Sequence, residues 1–439
     1  MSGQPSGQPV TWVNWAGNQC AEAVRVATPG TTGEVAEAVR AARADGLTVR
    51  PVGSGHSFTA AAATSGVRLE PAKLAGLVAA DPDTRQVTVG AGTTLRQLNA
   101  LLAGLGLALP NLGDIDAQTI AGALATGTHG TGAAFGALAS FVTGLTIVDG
   151  TGAVQDCSAT GHPDVFAAAR TGLGAVGVLT EVTLSCVDSF TLRAVERPGR
   201  LADVLSTLDE QVAGNDHFEF YWFPYTDRVQ TKANNRVPAN GDPLPGWRAW
   251  LDDDFLSNTV FGGACRLGRR FPALVPRMAT VEARALSARE YTGPSYEVFC
   301  TRRRVRFVEM EYALPRAALP EAFAALRSIV DTTPVRVLFP VEVRVSAADD
   351  VWLSPGYGRD SAYIAIHQYA AAPYEPYFRA FEQAATALGG RPHWGKLHWR
   401  EAGDLRGRYP RFDDFRAVRD RLDPDRTFRN GYTDRVLGP

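Results

Sequence analysis

Apolar residues recur at helical spacing after Thr31 and Thr32, where Val35, Ala38, Val39 and Ala42 form a stripe that Gly46 terminates. Residues 47–52 then become a short apolar run, which predicts a buried strand leading into Gly53-Ser54-Gly55-His56-Ser57. Further strands are expected at 67–69 and 85–89. Thr93 or Thr94 is set to cap a helix carrying Leu95, Leu98, Leu101 and Leu102 on one face. Residues 118–126 read as a short helix of small residues. Residues 141–148 and 153–157 read as a hairpin about Asp149-Gly150-Thr151-Gly152, residues 163–170 as a helix and 180–187 as a strand.

Beyond residue 187 the pattern shifts toward aromatic residues, arginine and longer strands. Helices are expected at 201–212, 319–330 and 374–388, and strands at 218–223, 228–231, 305–314, 335–345 and 362–369. A loop rich in Pro, Asn and Gly is expected at 234–246. On 305–314, Phe307, Glu309 and Glu311 alternate with Arg306, Val308, Met310 and Tyr312. Glu342 and Arg344 share one strand face, opposite Val341, Val343 and Val345. Spacing alone allows either a solvated face with a surface ion pair or a site. His367, between apolar neighbours, is open to the same two readings. The class this predicts is α+β, with helices over one face of an antiparallel sheet.

A chain of 439 residues exceeds one ordinary core, so two domains are expected. A net charge of -2 gives no reason to expect nucleic acid or an acidic membrane as partner. The five cysteines form no CxxC pair, so neither a zinc site nor a disulfide framework is suggested and no metal is expected. No run of eighteen apolar residues occurs, and residues 1–9 lack the regions of a signal peptide. The expectation is a soluble, cytoplasmic monomer.

Three glycine-rich turns bracket strands in the first 187 residues: Gly53 to Gly55, Gly127-Thr128-His129-Gly130, and Gly172 to Gly177. Glycines allow positive φ and let backbone N–H groups approach an anion such as a pyrophosphate. The first turn follows the second strand, and no GxGxxG opens a helix, which argues against a Rossmann domain.

Arg50-Pro51-Val52-Gly53-Ser54-Gly55-His56-Ser57 resembles the FAD loop of the vanillyl-alcohol-oxidase superfamily, in its sugar-1,4-lactone oxidase and alditol oxidase branch. Residues 121–130 and 174–184 resemble its next two segments, His393-Trp394-Gly395-Lys396 its C-terminal HWxK signature, and residues 423–432 its closing segment. The resemblance runs from about Val24 to Tyr432. It implies a PCMH-type, two-subdomain FAD-binding domain (1–187), an α+β substrate or cap domain with an antiparallel sheet (188–400), and a segment returning to the flavin (401–439). It further implies FAD bonded covalently to His56 and held by Arg50, Gly53, Ser54, Gly55, Ser57, Gly113, Thr119, Gly122, Thr126, Thr128, His129, Gly174, Gly177 and Val178. Ser57 and Thr128 would donate from their hydroxyls, while His129 is better read as a histidine bonding backbone in a tight turn. The catalytic set it implies is Glu342, Arg344, His367, Lys396 and Asp114, acting on a sugar lactone or related polyol with dioxygen as acceptor and hydrogen peroxide as product. A small residue at Gly113 leaves dioxygen a passage, and Asp114, where alditol oxidases have serine, fits sugar-lactone oxidases better. Alternatives are an alditol or nucleoside oxidase, a dehydrogenase with another acceptor, and a flavin- or nucleotide-binding module without catalysis.

Overall fold

The structure is a computed structural model describing residues 10–238, 243, 245, 246, 255, 256, 258–301 and 303–439. The polar opening 1–9 and residues 239–242 and 244 of the expected loop at 234–246 lie outside the described residues.

The helix Thr32–Ala44 starts where the Thr31 side chain accepts from Glu34 N, and it buries Val35, Ala36, Val39 and Ala42. That stripe belongs to a small core with Val49, Val67 and Leu69 of a parallel three-stranded sheet ordered Arg25–Ala27, Val67–Leu69, Val49–Pro51. A five-stranded antiparallel sheet follows, ordered Val154–Ser158, Val142–Val148, Val178–Ser185, Gln86–Gly90, Leu77–Asp81. Its helices are Leu95–Gly104, closed by a Thr94/Gln97 capping box, and Ile120–Thr126, capped by Thr119 and ended at left-handed Gly127.

The larger sheet has eight strands, ordered Arg289–Pro294, Thr191–Arg200, Arg228–Val237, His217–Trp222, Val341–Ser346, Ser361–Tyr369, Phe307–Pro315, Arg391–Pro392. Period-two alternation gives it two faces. Phe218, Phe220, Trp222, Val341, Val343, Val345, Ile364, Ile366, Val308 and Met310 point one way, into a core shared with the helices Leu319–Thr332 and Glu375–Ala387. Each such buried side chain contributes about 1.5–3 kcal/mol of transfer free energy. The other face carries Lys232, Glu219, Tyr221, Arg344, Glu342, Tyr363, His367, Glu311 and Glu309, cross-strand neighbours by register. This face is buried too, because the N-terminal part of the chain lies across it. Gly132 N donates to Val345 O (2.8 Å) and Thr131 Oγ1 to Phe218 O (2.5 Å), which fastens the turn of His129 to the middle strands.

The last residues return to the first glycine turn. Asn430 Nδ2 donates to the carbonyls of Ala60, Ala61 and Ala63, and Val49 N donates to Thr427 O.

The α+β plan with a large antiparallel sheet is the one the pattern predicts, and three local expectations are corrected. Residues 201–212 form two helices, Leu201–Ser206 and Leu208–Ala213. Thr207 leaves helical geometry (φ -108, ψ 10), its Oγ1 bonding Asp203 O. The expected strand 335–345 is confined to Val341–Ser346, because Pro340 cannot donate to a ladder and Val337 N donates to Tyr225 Oη instead. The expected strand 228–231 runs on to Val237, consuming the start of the expected loop.

Candidate active site

Two of the three glycine-rich turns, with the start and end of the helix Ile120–Thr126 between them, line one cleft of about 1000 Å³, counting its open side, and the turn of residues 127–130 lies outside that lining. Gly53 to Ser57 form one wall, Thr119, Gly122 and Thr126 the floor, and Gly172, Gly174 and Gly177 the far wall. Val52 N and Phe58 N donate to Leu69 O and Gly395 O, but between them no backbone N–H of residues 53–57 has an acceptor among the described residues. Gly55 (φ 68) and Gly174 (φ 62) occupy left-handed backbone, and a Cβ on Gly53 would overlap Thr119 Oγ1. A run of free N–H donors in a cradle without side chains suits a pyrophosphate, so the residues present fit FAD.

Arg50 lines this cleft, but its guanidinium donates to the carbonyls of Ala61 (2.5 Å), Leu173 (2.6 Å), Phe428 (2.7 Å) and Gly174 (3.0 Å). It clamps the two glycine walls to the C-terminal segment, and all its directions are used within the protein. Ser57 Oγ likewise donates to Gly395 O at 3.2 Å. Val178 points into the core of the parallel sheet, and Leu179 lines the cleft in its place. Thr128 and His129 are buried behind the floor, where Gln118 Nε2 donates to Thr128 Oγ1 (3.4 Å) and His129 Nδ1 to Gly130 O (2.9 Å). The tight-turn reading of His129 therefore describes its Nδ1. A Cβ on Gly113 would meet His129 O at 3.1 Å, so packing also asks for glycine there.

At one end of the cleft His56 stacks on Trp15, with ring centroids 5.5 Å apart and planes 25° apart. Burial, and then the charge of Lys396, move its pKa below the ordinary histidine value, which favours the neutral ring.

The polar sheet face meets the cleft here. Lys396, from the turn after Arg391–Pro392, forms an ion pair with Glu309 and lies 5.3 Å from the Phe58 ring centroid. His367 Nδ1 donates to Pro340 O (3.2 Å), and its Nε2 is 3.6 Å from Glu309 Oε1. Glu342 pairs with Arg344 and accepts from Tyr221 Oη at 2.8 Å. Arg344 also reaches Glu219 (3.2 Å) and Asp114 (3.5 Å), and Asp114 pairs with Arg303 at 3.2 Å. Burial would raise the Asp114 carboxyl, but Arg344, Arg303 and Lys396 outweigh it and hold the group well below the usual range. For Glu342 burial wins, with Asp114 and Glu219 adding to it and Arg344 opposing, and its pKa is raised.

The structure thus gathers His56, Asp114, Glu342, Arg344, His367 and Lys396 around one space. It sets Thr128, His129 and Val178 behind it, and Arg50 at the cleft wall with its guanidinium turned to backbone carbonyls. Glu342 and Arg344 are 5% and 7% exposed, which rules out the solvated-face reading. Sequence reasoning missed Glu219, Tyr221, Lys232, Arg303, Glu309, Glu311 and His393. The signal available was alternation: Glu309 and Glu311 repeat at period two like Glu342 and Arg344.

Behind Lys396, His129 Nε2 lies 3.2 Å from Glu311 Oε1, its ring 3.7 Å from that of Tyr363, and His393 completes a buried triad. Gly395 N donates to His393 Nδ1, so the neutral ring carries its hydrogen on Nε2, the nitrogen a metal would need. This tautomer suits a proton-holding clasp between the two parts of the chain better than a metal centre.

Known proteins resemble the chain over its whole length. The profile of a family described as D-arabinono-1,4-lactone oxidase matches residues 182–436, and one described as FAD binding domain matches residues 23–158. L-gulono-1,4-lactone dehydrogenase of Mycobacterium tuberculosis is 45% identical over 428 residues, covering 98% of this chain and 99% of that protein. L-gulonolactone oxidase of Mus musculus is 33% identical with 98% of each covered, and an alditol oxidase of a Streptomyces species is 32% identical with 95% and 97% covered. Among solved structures, cholesterol oxidase from B. sterolicum superposes with a TM-score of 0.80 at 20% identity, over 98% of this chain and 96% of that one, which speaks for the fold alone.

Proposed function

Because the chain belongs to the D-arabinono-1,4-lactone oxidase family, we propose that it is an FAD-dependent enzyme oxidising an alcohol carbon of a sugar 1,4-lactone, with dioxygen as acceptor and hydrogen peroxide as product. The observation that carries this is the junction of the cleft of free backbone N–H donors with a buried charged sheet face at His56 and Lys396. Bound FAD supplies the hydride acceptor and passes the electrons on.

The backbone N–H groups of residues 53–57 would hold the pyrophosphate of FAD. His56, neutral and braced on Trp15, has a ring nitrogen able to bond the dimethylbenzene edge covalently. Residues 1–187 bind the cofactor, 188–400 supply the reacting side chains, and 401–439 lock the first glycine turn through Asn430. Arg344 and Lys396 stabilise negative charge developing on the alcohol oxygen, in a pocket where burial strengthens each charge. The hydroxyl proton goes to one of two groups on the polar face, Glu342 or His367. Asp114 and Arg303 close the rim and orient a polyhydroxylated ring by hydrogen bonds.

A dehydrogenase using another acceptor is the second reading, favoured by the name of the 45% identical relative and by the packing requirement at Gly113. A panel of aldonolactones, alditols and nucleosides mixed anaerobically with the yellow protein tests both. Bleaching by a lactone is expected, and peroxide on admitting air supports dioxygen. Bleaching without peroxide selects the dehydrogenase, and no bleaching by any member of the panel removes the catalytic reading.

A further inference from the structure

The sequence contains only three lysines, Lys73, Lys232 and Lys396, among 44 basic residues. Lys73 is exposed, whereas Lys232 and Lys396 both belong to the buried polar face and its surroundings. A lysine differs from an arginine in losing its proton readily when taken out of water. Lys396 retains 21% exposure in its side chain and Glu309, against which its ammonium lies, only 6%. The strand holding Glu309 also grips the lysine's turn through its backbone: Leu397 N donates to Glu309 O (2.8 Å), and His393 N donates to Glu311 O (2.9 Å). Glu309 is thus fixed beside Lys396 by main chain as well as by charge.

We propose that Glu309 is the positioning residue that keeps Lys396 a cation and aims it at the alcohol oxygen. This assignment rests on the proposed function for its catalytic meaning. The charged and titratable groups around Lys396 include Glu309 and Glu311 from their strand, Asp114 from the rim, His56 from the first glycine turn and His393 from the lysine's own turn, with the Phe58 ring alongside and His367 of the neighbouring strand sharing Glu309 (3.6 Å). Burial would lower the Lys396 pKa, but Glu309, Glu311 and Asp114 outweigh it and raise it. Without Glu309 the balance tips toward burial, and the neutral amine appears at lower pH. Lys396 therefore acts as a fixed positive charge, and the hydroxyl proton has to leave through another group.

Competitive amine labelling of the holoenzyme, read peptide by peptide by mass spectrometry, tests this with exposed Lys73 as internal reference. In the wild type, Lys396 should stay unlabelled at pH values where Lys73 reacts; equal labelling of the two would overturn the proposal without any variant. In Glu309→Gln, Lys396 should label roughly tenfold faster relative to Lys73 at the same pH. The alkaline limb of substrate-driven flavin bleaching should move to lower pH, and Glu309→Asp should restore both. Unchanged Lys396 labelling in Glu309→Gln, with bleaching intact, would sink the role of Glu309 alone. Shifted labelling in a protein that no lactone bleaches would instead sink the functional reading and leave the pairing of Glu309 with Lys396 standing.

Discussion

The glycine-walled cleft and the polar face of the eight-stranded sheet meet at His56 and Lys396, yet they are built on opposite principles. The cleft recognises with backbone. Its donors are N–H groups, its specificity lies in what side chains are missing, and Arg50, its one arginine or lysine among the described residues, is used up holding the walls together. The sheet face works with charge. Four buried carboxylates, Glu219, Glu309, Glu311 and Glu342, are matched by Arg344, Lys232, Lys396 and the histidines set among them. Holding a cofactor calls for a fixed shape with modest partial charges, whereas moving a hydride and a proton calls for full charges kept out of water.

The largest effect expected from breaking this contrast is on the sheet face. Removing one partner of a buried ion pair leaves the other uncompensated, so Glu311→Ala should cost about 3–5 kcal/mol in chemical unfolding. The pH dependence follows from sign. The Glu311 carboxyl is held well below its usual range by His129 against the effect of burial, so its stabilisation is present above the unfolded carboxylate pKa of about 4.3 and is lost as pH falls toward the folded value. The unfolding midpoint of the wild type should therefore fall more steeply than that of Glu311→Ala as the solution is acidified below about pH 5.

Next in size, Arg344→Lys keeps one charge but cannot reach Glu342, Glu219 and Asp114 together. The rate of flavin bleaching by substrate in stopped flow should drop on the order of 10²-fold, with cofactor content unchanged. In the cleft the expected effect is on loading. Gly53→Ala should lower the ratio of flavin to protein absorbance several-fold, and adding Thr119→Ala should recover it, because Thr119 is what the new Cβ strikes. The smallest effect belongs to neither region. The exposed pair Arg193–Glu290 (2.6 Å) should be worth under about 1 kcal/mol on Arg193→Ala, although it is closer than the Arg303–Asp114 pair (3.2 Å) of the site.

The two regions were not equally readable from the amino-acid sequence. Cleft residues are local and announce themselves: Gly53 to Ser57 form one unbroken turn, and Gly174 and Gly177 another. Even so, the sequence does not say that Arg50 is enclosed or that Val178 turns away, since both depend on which neighbour packs against that side of the strand. Glu342 and Arg344 can be placed on one strand face by period two, but a solvated face and a buried charged one alternate identically. The difference is made by Thr131 and Gly132, some two hundred residues earlier, lying across the strands. Glu309 and Glu311 show the same alternation, which by itself does not mark them as part of a site. The break at Thr207 was also out of reach, because a hydroxyl bonding a carbonyl four residues back is a competition that periodicity does not register.

The central claim is a division of labour, cofactor held by the cleft and chemistry done by the sheet face. It is tested most directly by anaerobic bleaching with an active lactone in His56→Ala and Lys396→Met side by side, each then precipitated with acid. The expected result is that His56→Ala, resupplied with FAD, still bleaches but releases its flavin into the acid supernatant, while Lys396→Met keeps its flavin in the pellet and barely bleaches. Flavin retained in the His56→Ala pellet, or bleaching at the wild-type rate in Lys396→Met, would contradict it.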